Sequence, residues 1–95
     1  MPNQLSLSIV SPERTLYEGA VRYLQVPGGA GHMGILPDHA PIISSLKPGH
    51  FEVRPAKQGA SPIKFETQKI GFLEVDKNRV SILLDATDSN VLPTA

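Results

Sequence analysis

The densest run of residues able to do chemistry is Gly28-Gly29-Ala30-Gly31-His32-Met33-Gly34-Ile35-Leu36-Pro37-Asp38-His39-Ala40-Pro41. Gly29, Gly31 and Gly34 satisfy the spacing G-x-G-x-x-G, and Glu52 stands about 20 residues on, where a dinucleotide fold places the acid that holds its ribose. That chemistry needs the glycines to open a helix whose N-terminal amides cradle a pyrophosphate. Pro37 and Pro41 follow here without a helical period between them, so the glycines are read as a tight loop. No Lys-Ser or Lys-Thr pair follows them, which removes the phosphate-binding P-loop as well.

The other reactive types are equally unpromising. His32, His39 and His50 lack the i, i+2 or i, i+4 spacing of metal sites, and Asp38, beside His39, is the carboxylate that could join them. Ser44-Ser45 lies on an apolar stretch near His39, but there is no G-x-S-x-G elbow and no cysteine. Glu13, Glu18, Glu52, Glu66 and Glu74 fall on the polar phase of the pattern or at its ends, as solvated charges do. The reading is of no catalytic set, no metal and no cofactor.

Composition narrows the function classes further. Nine basic and nine acidic side chains cancel over 95 residues, three of each sign before residue 49 and six of each after it. Without a basic stripe there is nothing to neutralise a phosphate backbone or an anionic lipid surface. The start of the chain has no positive n-region and the apolar runs are about four residues long, far below the roughly 20 that span a bilayer. A soluble chain is expected, reaching a membrane only through a partner. The absence of cysteine fits a reducing compartment.

The elements that must position these residues are strands. Leu5, Leu7 and Ile9 alternate with Gln4, Ser6 and Ser8; Phe51 and Val53 with Glu52 and Arg54; Ile63 and Phe65 with Lys64 and Glu66. Further strands are expected at Thr15–Glu18, Ala20–Val26, Met33–Leu36, Ile42–Leu46, Ile70–Val75 and Val80–Leu84, with Gly19 breaking the second from the third. Asp76-Lys77-Asn78-Arg79 reads as a hairpin turn, because Asp and Asn tolerate left-handed backbone. Short strands at roughly ten-residue spacing predict an all-β fold, a two-sheet β-sandwich or a small barrel. Residues 1–84 are read as one domain and 85–95 as a mobile tail.

Three stretches together resemble the N-terminal β-sandwich domain of ATP synthase epsilon chains. They are Ser8 to Arg14 with Leu16 to Gly19, Val26 to Gly49, and Gly71 to Val75 followed by Asn78, Val80 and Ile82. The resemblance covers most of residues 4–84. It implies two five-stranded sheets, about ten strands in all, and a non-catalytic place in the rotor stalk, against the gamma subunit and on top of the membrane ring of c subunits. It implies ring contacts at Gly28, Gly29, Ala30, Gly31, His32 and Met33, and a gamma-facing side near Ser11, His39, Ile42 and Ser44. It further implies a peripheral position on the cytoplasmic side of the bacterial inner membrane, with a plastid thylakoid as the lesser alternative. Many members continue into a C-terminal helical hairpin, which is not expected in this chain. The family often has Gly where Asp38 stands, an acid where His32 stands and a second Gly where Ile70 stands. A ligand- or glycan-binding sandwich is the competing reading, and it would show aromatics on an exposed face.

Overall fold

The computed structural model describes residues 4–85, and among them every regular element is a strand. The strands are β1 (Leu5–Val10), β2 (Thr15–Gly28), β3 (Gly31–Ile35), β4 (Ile42–Leu46), β5 (Gly49–Pro55), β6 (Ile63–Thr67), β7 (Gly71–Asp76) and β8 (Arg79–Leu84). Apart from Asp85, the expected tail lies outside the described residues.

The eight strands form two layers that share β2. In one layer, the N-terminal half of β2 pairs antiparallel with β1 (Leu5↔Val21 to Val10↔Thr15). β1 pairs parallel with β8, β8 antiparallel with β7, and β7 antiparallel with β4. In the other, the C-terminal half of β2 lies between β3 (Val26↔Met33) and β5 (Leu24↔Val53), and β6 completes the edge beyond β5. The layers therefore hold five and four strand segments from eight strands among the described residues, not the two five-stranded sheets and about ten strands expected, because β2 is one continuous strand serving both layers. The expected all-β two-layer fold stands, but the break expected at Gly19 does not occur: Gly19 pairs with Leu7 and the ladder runs on. A glycine ends a strand only when its neighbours on the ladder end too. The change of layer comes instead at Val21–Tyr23, where the pairing with β5 slips.

The core follows from the period of two. Leu5, Leu7, Ile9, Leu73, Val75, Val80, Ile82 and Leu84 point in from the five-stranded layer. Leu24, Val26, Ile35, Phe51, Val53 and Phe65 meet them from the other. Phe51 and Phe65 sit opposite each other on β5 and β6 and stack at 4.6 Å between ring centroids. The expected turn at Asp76–Arg79 is present, with Lys77 and Asn78 at φ 51° and 62°, the left-handed pair that matches the twist of a two-residue hairpin.

Candidate interaction surfaces

The glycine-rich segment is a hairpin, not a plain loop. Gly28 pairs with Gly31 across a Gly29-Ala30 turn, and β3 begins inside the run that was expected to be irregular. Gly31 has φ 135°, which an L side chain rarely adopts. Gly28 also pairs with Leu46 of β4, and the Lys47 N–H donates to the Pro27 carbonyl at 2.8 Å. The hairpin is thus tied to the β4–β5 connection. Gly29, Ala30, Gly31 and His32 are exposed, Met33 is half-buried against the core, and Gly28 is buried.

The four residues read as gamma-facing do not form one surface. Ser11 is 8% exposed, and its hydroxyl accepts from the N–H groups of Glu13 and Arg14, so it closes the β1–β2 turn. His39 lies in the β3–β4 loop, its Nδ1 2.7 Å from the Ala40 carbonyl. Ile42 and Ser44 take the inward-leaning phase of β4; Ile42 packs on the core and the Ser44 hydroxyl donates to the Ser45 carbonyl. The strand registers put Ser11 at the glycine-hairpin end of the sandwich and His39 at the other.

A surface the sequence reading missed lies on the outer face of the five-stranded layer. Ile43 is 79% exposed, Ile70 58%, Phe72 52% and Leu83 45%. Phe72 pairs with Leu83, and Leu83 with Val10, so three apolar side chains stand in a row across β7, β8 and β1. With Ile43 they line a shallow groove of about 420 Å³ whose polar members are Ser8, Ser81 and Glu74. The signal was present: Phe72 and Leu83 occupy phases that alternation reserves for polar residues.

The outer face of the four-stranded layer is polar. The Arg54 guanidinium lies 4.7 Å from the centre of the Tyr23 ring and its Nε donates to Glu52 at 2.6 Å, while the Tyr23 hydroxyl donates to Gln25. The two faces differ in the chemistry of what they can bury. An exposed apolar row invites a dry contact, whereas side chains that already satisfy one another are content in water.

The histidines separate by position. His32 pairs with Pro27 on β2, and the Gly49-His50 end of β5 packs against Pro27 from the other side: a Cβ on Gly49 would lie 3.1 Å from the Pro27 Cβ. His39 is at the far end. Among the described residues no group of three His, Asp or Glu side chains is placed to hold a metal ion. No helix of the described residues is long and apolar enough to cross a membrane.

Comparison with known proteins converges on one family. The family model described as ATP synthase, Delta/Epsilon chain, beta-sandwich domain matches residues 4–89. An ATP synthase epsilon chain of Leptospira interrogans is 42% identical over 83 residues, which is 87% of this chain and 62% of the relative. One from Parvibaculum lavamentivorans is 39% identical over 92% of this chain and 64% of its own length. The chain thus spans less than two thirds of these relatives. In fold it is similar to a chain in a structure of the Euglena gracilis mitochondrial ATP synthase, with a TM-score of 0.80 at 23% identity. That likeness covers 90% of this chain and 53% of the other. On the family match and these identities, the chain belongs to the ATP synthase delta/epsilon family and carries that family's β-sandwich domain.

Proposed function

We propose that this chain is a non-catalytic subunit of the rotor stalk of an F-type ATP synthase. It stands between the gamma subunit and the membrane c ring and helps couple proton transport to ATP synthesis. The observation that carries this reading is the apolar row Val10, Leu83 and Phe72 with Ile43, on a family member whose opposite face is polar. That row is the proposed gamma contact. It replaces Ile42 and Ser44, which lean inward on the same strand, with Ile43 on the outward phase. The hairpin of Gly28, Gly29, Ala30, Gly31, His32 and Met33 is the proposed ring contact. Its turn is narrow and free of bulk, so its backbone can approach another surface closely.

The role asks for stiffness more than reactivity. A close-packed two-layer core resists shear, and surfaces held on it keep their mutual geometry as load passes through. The sandwich, residues 1–84, is the transmitting body in this reading. It takes no small-molecule substrate and no nucleic acid. Since the relatives named above are bacterial, the position that fits is the cytoplasmic side of a bacterial inner membrane, held there by the complex.

The test is binding of the purified chain to purified gamma subunit. Ile43→Asp combined with Phe72→Asp places two charges in the proposed contact and should abolish co-elution. Both side chains are more than half exposed, so the urea midpoint should hold. Wild-type co-elution by that variant would show the wrong face has been chosen. Ala30→Trp, at the tip of the hairpin, should weaken attachment to the ring and leave gamma binding alone.

A further inference from the structure

The glycine-hairpin end carries more than a narrow turn. Between the hairpin and the β4–β5 connection lies a cleft of about 290 Å³ with His32, Lys47 and His50 at its rim and Pro27 in its wall. All three rim residues are exposed, and Pro27 is buried. The chain as a whole is neutral, yet no carboxylate lines this cleft. At its margin stands Glu66, whose Oε2 is 3.8 Å from His50 Nε2 on the next strand. The Lys47 ammonium has three donors and no acceptor of its own, and each imidazole adds a ring nitrogen able to donate. The Lys47 backbone is fixed at this rim, because its N–H donates to the Pro27 carbonyl. The rest of the lining is glycine and proline, which leaves room for an entering side chain and supplies few competing groups.

We propose that this cleft receives an acidic side chain, an Asp or Glu carried on a loop of the protein that docks at this end. This rests on the reading that the hairpin end meets the c ring, and it adds the chemistry of the contact: cationic on this chain, anionic on the partner. A carboxylate on a protein loop fits better than an anionic lipid surface. Such surfaces are held by clusters of four to eight Lys or Arg. The cleft offers a single lysine and no arginine. Its volume, the space of about ten water molecules at about 30 Å³ each, leaves room for an entering side chain.

The experiment measures affinity of the full chain for detergent-solubilised c ring and, in parallel, for purified gamma subunit. Lys47→Glu should cut ring affinity about tenfold and Lys47→Arg should hold it within about threefold, as for a partly desolvated charge pair. Gamma affinity should stay unchanged in both. Carbodiimide coupling of the wild-type mixture should link Lys47 Nζ to an Asp or Glu of the ring, identified by mass spectrometry. Unchanged ring affinity for Lys47→Glu, with gamma binding intact, overturns the cleft and leaves the stalk reading standing. A wild-type chain that binds neither partner overturns the stalk reading and this inference with it. Lys47-dependent sedimentation with ring-free phosphatidylglycerol vesicles would reassign the cleft to a lipid phosphate and so overturn the protein-loop occupant.

Discussion

Asp38 and Asn78, forty positions apart, hold each other: the Asp38 N–H donates to Asn78 Oδ1 at 2.6 Å, and Asn78 Nδ2 donates to Asp38 Oδ1 at 3.1 Å. Both residues sit in left-handed backbone, at φ 68° and 62°. The Asn78 carbonyl also accepts from the Ser6 N–H at 2.8 Å. One turn residue thereby joins the start of β1, the β7–β8 hairpin and the loop after β3. The φ at position 38 also gives a physical reason for the glycine that epsilon chains often carry there: the backbone is left-handed, and aspartate is among the few other residues that tolerate it.

The clasp should be measurable. Asn78→Ala loses both side-chain bonds and leaves the left-handed backbone without the local hydrogen bonding that lets Asn tolerate it, a cost of about 1.5–3 kcal/mol. Asp38→Gly loses one acceptor but relieves the backbone, so its effect should be within about 1 kcal/mol of zero. Urea unfolding of both singles and the double should give a coupling energy of about 0.5–1.5 kcal/mol. Strict additivity would mean the pair is a contact without consequence.

Gly71 opens β7 where two strands come too close for a side chain. A Cβ there would lie 2.8 Å from the Leu83 carbonyl oxygen and 2.8 Å from Leu84 Cδ2. Backbone cannot yield as a flexible side-chain end can. Gly71→Ala should therefore destabilise by about 1–3 kcal/mol, in contrast to the usual benefit of alanine over glycine in the unfolded chain. A thermal melt above that of wild type would show that the β7–β8 pair spreads freely.

Two isoleucines separate folding from binding. Ile82 is fully buried between the layers, and Ile82→Ala should cost about 2–5 kcal/mol of stability. Ile43 is 79% exposed, so Ile43→Ala should leave stability within about 0.5 kcal/mol. Its cost should appear instead as about 1–3 kcal/mol of gamma-subunit affinity, read by calorimetry beside the urea curve. A folding defect in the second variant would mean that the outer row is part of the core.

Alkaline pH offers a check on Tyr17, which is 7% exposed and whose burial pushes its hydroxyl above the ordinary 10.0. Below 10.0 the folded and unfolded states both keep the proton, and Tyr17 adds no pH dependence. Above it the unfolded chain releases its proton first. Stability then falls by about 1.4 kcal/mol per pH unit until the folded-state value is passed. Tyr17→Phe should remove this part of the alkaline loss, seen as a wild-type-minus-variant difference that opens only above pH 10.0.

Local pattern was enough for most of the strands, and for the Asp76–Arg79 hairpin, whose residue types admit the backbone that the turn requires. It misjudged Gly19, because a glycine breaks a strand only in isolation and here Leu7 carries the ladder past it. It also missed the outer row. Phe72 and Leu83 look like stray apolar residues until β7, β8 and β1 are set side by side.

The amino-acid sequence by itself determined which faces of the strands turn inward, since a period of two is a property of each strand alone. It likewise settled the family, since the ordered local motifs cover most of residues 4–84 and the family model matches residues 4–89. Only the tertiary structure decided which side chains share a surface. The parallel pairing of β1 with β8 and the passage of β2 between layers bring Val10 to Leu83, and set His32 and His50 around Pro27 while sending His39 to the opposite end. Those adjacencies come from pairings between residues far apart in the chain, and local periodicity contains no record of them.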